Sequence, residues 1–439
     1  MAPDSATVER PIRLVVRDDE LRRSRLTVVF RLFLAIPVLV WLGLRGIAAF
    51  LVGFVNWIAV LLQGEVPDSL HDFVAGYVRY ATQVSAYVFL AADPYPWFRV
   101  QPDYPVDVEI APPKRQGRWG GLFRIVLALP ALVLATALGG GLSFGPSGGS
   151  STSAQGSEGE WVFWGSSAGG AAAVAALLAW FYALARGRAP RGARDLVAYA
   201  LGYGAQALGY ALLLTGRYPS SDPALAEPYA ELPRHPVQMV VTDSLERSRL
   251  TVLFRLFLAI PHIVWILLWT IAVLFAAIAA WFAALATGGV PQGLHRFLAA
   301  YVRYAVHVQA YLYVIGRRFP GFTGQPGTYG IDLEIDPPRP QSRWLTLFRF
   351  FLAIPALLLA SALGAVVLLV AFLVWWYALV HGSVPEGLRN LGVACIRYQE
   401  QASAYLLLLT DRYPYAAPVL QGRLHEPEIS VEPAVGDAF

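Results

Sequence analysis

The chain has 439 residues, of which 56% are hydrophobic and only 15% are charged, and its mean hydropathy is +0.50. This composition excludes an ordinary water-soluble protein of the same size. The net charge of +4 comes from arginine, because Lys114 is the single lysine. One cysteine, Cys395, excludes an internal disulfide, and the seven histidines show no metal-ligand spacing. We therefore predict an integral membrane protein with no cofactor and no metal.

The N-terminal sequence "MAPDSATVERPIRLVV" is polar. It lacks the charged-then-apolar order of a cleavable signal peptide. We therefore expect the N-terminus to stay in the cytoplasm and the chain to be a multi-pass protein of the cell (cytoplasmic) membrane.

Four short stretches with alternating apolar residues predict β-strands. They are "PIRLVV", "PVDVEI", "PVQMVV" and "GIDLEI". Arg13 in the first strand is suited to pair with Asp107 and Glu109 in the second, since opposite charges stabilise cross-strand pairs. We expect the four strands to form one small sheet at the cytoplasmic membrane surface.

Each strand precedes the pattern R-x-x-x-x-F-R-x-x-L-A-[IL]-P, at 25–37, 118–130, 249–261 and 343–355. An apolar tract, a tryptophan and a Gly-x-x-Pro turn then follow at a constant spacing. Copy two differs because it carries 30 extra residues, including a Gly/Ser-rich segment at 139–160. Irregular backbone cannot lie in lipid, so the insertion predicts a turn outside the bilayer. The equivalent positions are Gly46, Thr270 and Gly364.

This turn predicts a transmembrane helical hairpin in each copy, for example 25–44 and 47–63, and about eight spanning helices in all. An alternative makes 25–36 an interfacial helix and 37–63 a single span. Arginines gather at the motif and at the Gly-x-x-Pro turn, so the positive-inside rule places both in the cytoplasm. The tryptophans of the repeat would then lie near the inner interface; they are Trp57, Trp180, Trp281 and Trp375.

The third segment of each copy, such as 68–93, is more polar. Val74, Tyr77 and Val84 follow a helical spacing, with His71 and Gln83 elsewhere on the wheel. We predict an amphipathic helix at the cytoplasmic interface. The fold class is therefore mainly α and integral to the membrane, with four repeats of strand, helical hairpin and interfacial helix.

Copies one and three share "RSRLTV", whereas copies two and four share "VEIAPP" or "LEIDPP" followed by Arg-Trp, so the repeats follow the order ABAB. A tandem duplication predicts two halves, which pack about an axis along the membrane normal. The first half is 1–222, with repeats 11–97 and 105–220, and the linker is 223–235. The second half is 236–418, with repeats 236–321 and 330–415, before a polar tail at 419–439.

Two sets of arginines recur at fixed places in the repeat. The first set is Arg31, Arg124, Arg255 and Arg349, and the second is Arg79, Arg303 and Arg397, with Gly202 at that place in copy two. These side chains either snorkel to lipid phosphates as anchors or form pockets for an anionic headgroup with nearby tyrosines. The tyrosines are Tyr80, Tyr304 and Tyr398.

A third set, Gln83, Gln206, His307 and Gln401, either bonds helix to helix or lines a polar path. No catalytic motif is present, so we expect no enzymatic activity.

The F-R-x-x-L-A-I-P run, the tryptophan before G-x-x-P and the closing "YLLLLTDRYP" (405–414) resemble a bacterial, largely actinobacterial, membrane family named domain of unknown function 4389. The resemblance covers nearly the whole chain as tandem copies, and it implies a membrane location without a reaction.

We therefore expect a non-enzymatic protein that organises anionic lipid or a partner. Its partners would be membrane lipids, and a protein partner or a second copy of the chain, but no nucleic acid. The alternative is a transporter or channel with a path between the two halves, and a lipid-modifying enzyme ranks third. Arg→Gln variants at Arg31 and Arg255 would lose bound lipid under the first hypothesis.

Overall fold

The computed structural model describes residues 10–17, 21–139, 170–223 and 234–418. Within these ranges the chain is mainly helical, with two small antiparallel sheets. The predicted Gly/Ser-rich loop beyond Gly139, most of the predicted linker and the polar tail lie outside the described residues. Three of the described helices are long and apolar enough to cross a membrane.

The same order of elements recurs along the described chain: a five-residue strand, a long apolar helical region and a helix of 21 residues. The first half contains β1 (Ile12–Val16), α1 (Arg25–Gln63), α2 (Asp68–Val88), β2 (Val106–Ile110), α3 (Arg118–Leu122), α4 (Arg124–Gly139), α5 (Ala171–Arg186) and α6 (Arg191–Ala211). The second half contains β3 (Val237–Val241), α7 (Arg249–Thr287), α8 (Gln292–Leu312), β4 (Ile331–Ile335), α9 (Arg343–His381) and α10 (Glu386–Leu406).

The predicted hairpin is wrong for α1, α7 and α9. Each is a single helix of 39 residues, or about 58 Å at 1.5 Å per residue. It continues through the predicted tip and through the motif proline, so the interfacial alternative, with its break near residue 37, is also not observed. Gly46 allows the Tyr77 side chain to pack closely against the helix, because a Cβ at this position would lie 3.1 Å from the Tyr77 hydroxyl oxygen. In copy two the corresponding region contains three described helices, α3, α4 and α5, and residues 140–169 lie outside the described residues.

The long helices lie in antiparallel pairs that tryptophan side chains join at both ends. Trp57 near the end of α1 donates its indole N–H to the Gly121 carbonyl in α3, at 2.9 Å. Trp180 in α5 donates in return to the Val28 carbonyl near the start of α1, also at 2.9 Å. The pair α7 and α9 repeats this arrangement through Trp281 to Thr346, at 3.0 Å, and Trp375 to Val252, at 3.2 Å. The recurring tryptophans therefore bridge protein segments.

The strands pair within each half, β1 with β2 and β3 with β4, so the prediction of one four-stranded sheet is wrong. Arg13 faces Glu109 across the first sheet, as predicted, whereas Asp107 faces Val15. Each sheet lies against the 21-residue helices of its own half: β1 packs on α6 and β2 on α2, while β3 packs on α10 and β4 on α8. The helix pair of one half thus covers only its own two strands.

The 21-residue helices are more deeply buried than an amphipathic interfacial helix. Val74, Tyr77 and Val84 of α2 are buried, as the helical spacing predicts, but His71 and Gln83 are buried as well. The reason is that α2 contacts α1, α6 and β2 together. A helical wheel with one apolar face predicts burial on that face alone, so it could not predict contacts on the other faces of the helix. The interfacial location of these helices stays a prediction.

Candidate functional site

The first set of arginines lies inside the protein. Each side chain is between 1% and 3% exposed, and each guanidinium lies over a tyrosine ring at the end of a 21-residue helix. The distances from guanidinium carbon to ring centroid are 4.5 Å for Arg31 over Tyr87, 4.2 Å for Arg124 over Tyr210, 4.4 Å for Arg255 over Tyr311 and 4.7 Å for Arg349 over Tyr405. Each guanidinium group is therefore held mainly by groups of the protein.

These arginines cap the C-terminal ends of the 21-residue helices. Arg31 donates to the Tyr87 carbonyl at 2.6 Å and to the Ala92 carbonyl at 2.9 Å. Arg349 donates in the same way to Tyr405 and Thr410, both at 2.7 Å. A cation at a helix C-terminus stabilises the helix dipole and bonds the carbonyls that the helix leaves unpaired. These arginines therefore act as internal caps, and their contact with a lipid headgroup stays a prediction.

A second group of residues completes each cap, and the sequence patterns did not single it out. The residue that follows the 21-residue helix by two positions has a positive φ in all four copies: Leu90, Leu213, Val314 and Leu408, at 58°, 64°, 63° and 60°. Its carbonyl accepts from a side chain eight positions before the motif arginine. The donors are Arg23 at 3.2 Å, Gln116 at 2.7 Å, Arg247 at 3.2 Å and Gln341 at 2.7 Å.

The second set of arginines binds strands and loops. Arg79 forms an ion pair with Asp107 of β2. Arg303 donates to the Leu333 carbonyl of β4 at 2.9 Å and lies 3.6 Å from Asp332. Arg397 in α10 is buried and donates to the carbonyls of Tyr415, at 3.1 Å, and Ala417. Burial lowers the pKa of Arg397 to about 10, because its charged form is desolvated.

The three predicted tyrosines are also buried. The Tyr304 hydroxyl lies 2.7 Å from Nδ1 of His262, and Arg45 lies 5.1 Å from the Tyr80 ring centroid. Tyr398 is buried beside Arg397 in α10. The structure therefore does not bring the ten predicted residues into one pocket. They lie at separate internal contacts, one set in each repeat.

The Gln and His positions also bond within the repeats. The side-chain oxygens of the three glutamines accept from backbone N–H groups of the following loop: Gln83 from Gln101 at 3.0 Å, Gln206 from Ser220 at 3.0 Å and Gln401 from Tyr415 at 3.1 Å. His307 instead lies 2.8 Å from an Asp332 carboxylate oxygen. The glutamine contacts hold loops against helices, and the His307 contact holds β4 against α8.

Exposed arginines gather elsewhere, in a cleft of about 620 Å³ at the start of α1 and the end of α5. Arg22 and Arg188 are directly opposite each other in an isolated antiparallel bridge, and Arg186 lines the same cleft. All three side chains are exposed, as is that of the neighbouring Arg25. The Asp93 carboxylate at the cleft is held 2.5 Å from Arg31. We name this site the arginine cleft, lined by Arg22, Arg23, Ser24, Asp93, Arg186, Gly187 and Arg188.

The second half has the same backbone arrangement with different charges. Glu246 and Ser383 form the bridge there, and His381 stands where the first half has Arg186. Arg317, in the place of Asp93, lies 3.6 Å from Glu246. The equivalent site therefore exchanges a cluster of like charges for an opposite-charge pair. The backbone arrangement is the same in both halves although the charges differ. The fold therefore does not require the arginines of the first half.

The family called Domain of unknown function (DUF4389) matches residues 25–99, 249–323 and 343–417. The chain belongs to this family. Each DUF4389 match begins with a 39-residue helix and includes a motif arginine and the helix end that it caps, whereas the donors Arg23, Arg247 and Gln341 lie two residues before the matches. No curated protein and no solved structure matches the chain. Within the described residues of this DUF4389 protein, no cluster of His, Cys, Asp and Glu side chains could hold a metal ion.

Proposed function

We propose that this chain is a non-enzymatic integral protein of the bacterial cytoplasmic membrane that binds anionic lipid headgroups at the arginine cleft and so organises lipid around itself. The observation that carries the proposal is the cluster of exposed arginines at the ends of two apolar helices. Three helices of sufficient length and apolarity support the membrane location.

The chemistry of the cleft favours a phosphate. A guanidinium group presents its N–H donors in a planar fork that matches two phosphate oxygens. Arg186 and Arg188 flank Gly187, and the bridge brings Arg22 to the same place. A cleft lined mainly by charges of one sign attracts ions of the opposite sign. Anionic headgroups at a membrane surface attract such clusters.

Four repeats in the order ABAB, forming two halves, are part of the proposal. The recurring element order supports it, as does the cap donor, which alternates between Arg and Gln along the chain. The transporter alternative has less support. A polar path would need free polar groups between the halves, and Gln83, Gln206 and Gln401 instead bond loops of their own half.

The test uses the full chain purified in nanodiscs of phosphatidylglycerol and phosphatidylcholine. We expect the double variant Arg186→Gln/Arg188→Gln to retain less phosphatidylglycerol in native mass spectrometry than the wild type. The control is Arg339→Gln/Arg343→Gln, which removes two exposed arginines before and at the start of α9. Equal lipid retention in the two double variants would refute the headgroup site.

A gain-of-function variant sharpens the test. Glu246→Arg/Ser383→Arg gives the second half the bridge residues of the first. If the arginines define the site, this variant binds an additional phosphatidylglycerol molecule. Unchanged lipid binding by a folded variant would mean that the charge cluster does not suffice.

A further inference from the structure

A second cleft, of about 600 Å³, lies between the long helices of the second half and the 21-residue helices α8 and α10. Its wall is mainly apolar, and α7 supplies half of the residues. The lining residues include Thr270, Ala277 and Trp281 of α7, Arg349 of α9 and Ser403 of α10. Clefts that bind small apolar ligands have volumes of about 300–1,000 Å³.

The equivalent place in the first half is tightly packed. Leu212 packs against α1 so tightly that a Cβ on Gly53 would lie 2.8 Å from the Leu212 Cδ2 atom. The Asn56 amide group also reaches the Leu212 carbonyl, at 3.4 Å. In the second half Ala277 and Ala280 replace the glycine and the asparagine. The open cleft is therefore a feature of the second half and does not follow from the repeated fold.

The hydroxyl groups on the wall are already bonded within the protein. Thr270 donates to the Ile266 carbonyl at 2.6 Å, and Ser403 donates to the Gln399 carbonyl at 3.0 Å. The Trp281 indole N–H is likewise bonded, to the Thr346 carbonyl. These groups leave the wall an apolar surface, which suits a hydrocarbon chain.

Arg349 is the charged exception on this wall. Its terminal nitrogens bond carbonyls and the Gln341 amide oxygen at 2.9 Å, and its Nε donates to no acceptor among the described residues. Arg31 at the same place in copy one has a carboxylate, Asp93, at 2.5 Å. The exposed Asp411 acts on Arg349 through its charge, without a hydrogen bond within the described chain. A buried guanidinium without a bonded carboxylate is complementary to an anionic ligand.

We propose that this cleft binds one long-chain fatty acid, with its hydrocarbon chain along α7 and its carboxylate toward Arg349. Access from the bilayer is available because α7 is the least covered of the three candidate spans: 11% of its most apolar window is buried, against 33% for α1 and 44% for α9. The site is separate from the arginine cleft of the first half.

The test is photo-crosslinking of the full chain in nanodiscs with a long-chain fatty acid that carries a diazirine. Mass spectrometry of the peptides should place saturable label on residues 273–282 and 403–408. We expect Ala277→Trp, which fills the cleft, to reduce that label at least tenfold. The control Leu267→Trp puts the same side chain at an exposed position of the same helix, and it should label like the wild type. Equal labelling of both variants would overturn the proposal.

Competition in the wild type tests the carboxylate without any substitution. An unlabelled fatty acid should displace the probe at least tenfold better than its methyl ester or a phospholipid with the same chain. Equal competition would overturn the assignment of the carboxylate to Arg349, and so would label that no competitor displaces. Arg186→Gln/Arg188→Gln should leave the labelling unchanged, which distinguishes failure of this site from failure of the headgroup site.

Discussion

The arginine at the centre of each F-R motif directs its charge into the protein and stabilises the end of the following helix. Its tyrosine and its carbonyl acceptors lie about sixty residues further along the chain in copies one, three and four, and about ninety in copy two. The sequence identified these arginines by their recurrence. It could not identify their partners, because the fold alone brings the end of α2 to the start of α1. Equal spacing of Arg23, Gln116, Arg247 and Gln341 before the motif was the one available signal.

Arg255→Gln should destabilise the protein by about 2–4 kcal/mol, since it removes charged hydrogen bonds and the contact with the Tyr311 ring. Chemical unfolding in detergent, followed by tryptophan fluorescence, measures the change. Arg296→Gln, at an exposed position of α8, should change stability by less than about 0.5 kcal/mol. The Arg255→Gln variant should bind the same lipids as the wild type. A loss of anionic lipid from this variant would support the predicted contact between Arg255 and a lipid headgroup.

Glu400 in α10 predicts a pH dependence of stability. Its carboxylate is buried against the Gln309 side-chain amide, 2.7 Å away, and burial raises its pKa to about 7 from 4.5. Because the folded state holds the proton more tightly than the unfolded chain, stability is highest below about pH 4.5 for this group. It falls as the pH rises through 7, by about 3 kcal/mol in total.

Glu400→Gln isolates this contribution from those of other titrating groups. Thermal unfolding between pH 5 and pH 8 should show a smaller loss of stability in the variant, which should also be more stable than the wild type at pH 8. A variant with the same pH profile as the wild type would show that Glu400 does not titrate in this range.

Among the elements, the strands and the 21-residue helices were predictable because alternation and helical spacing are local signals. The hairpin was inferred from a single insertion in copy two, and the inference does not transfer to the other copies. A helix accepts one glycine at a cost of about 1 kcal/mol, so Gly46 does not force a turn between apolar flanks. The distribution of arginines predicted that the motif and the Gly-x-x-Pro turn lie on the same face of the membrane. In a continuous helix they lie at opposite ends.

Spin labels at Leu26 and Leu62, both exposed on α1, distinguish the continuous helix from the hairpin. In a Cys395→Ser background, the labels should be separated by up to about 54 Å in a double electron–electron resonance measurement. A hairpin would bring them to roughly the spacing of packed helices, about 10 Å. Labels at Leu26 and Ile47 serve as the control, since both arrangements separate them by about 31 Å.

The two halves of the whole molecule hold each other by exchanging their loops. The segment after α6 contacts α10, where the Asn390 amide donates to Asp222 at 2.9 Å. The segment after α10 returns to α6, where the Tyr415 hydroxyl donates to Asp195 at 3.2 Å. The repeat pattern predicts two halves and a boundary between them, and this division stays a prediction. It could not predict this exchange, because both contacts join positions more than 160 residues apart.

The second residue of α6 and of α10 is a glycine, and the absence of a side chain there leaves room for these loops. A Cβ on Gly192 would lie 3.0 Å from the Ala416 nitrogen, and a Cβ on Gly387 would lie 3.0 Å from the Asp222 nitrogen. Gly293 holds the same position in α8 and has open space around it. Valine at Gly192 or Gly387 should therefore cost about 1–3 kcal/mol more than valine at Gly293.

Hydrogen exchange should locate the change in the exchanged loops. In Gly192→Val the amides of 415–417 should lose protection, and in Gly387→Val those of 220–222 should lose it, while Gly293→Val should leave both segments as in the wild type. All three variants place valine at the same helical position, so a difference between them reports the contact between halves and not helix propensity. Equal loss of stability in all three variants would show that these glycines are needed for the helices themselves, and not for the association of the two halves.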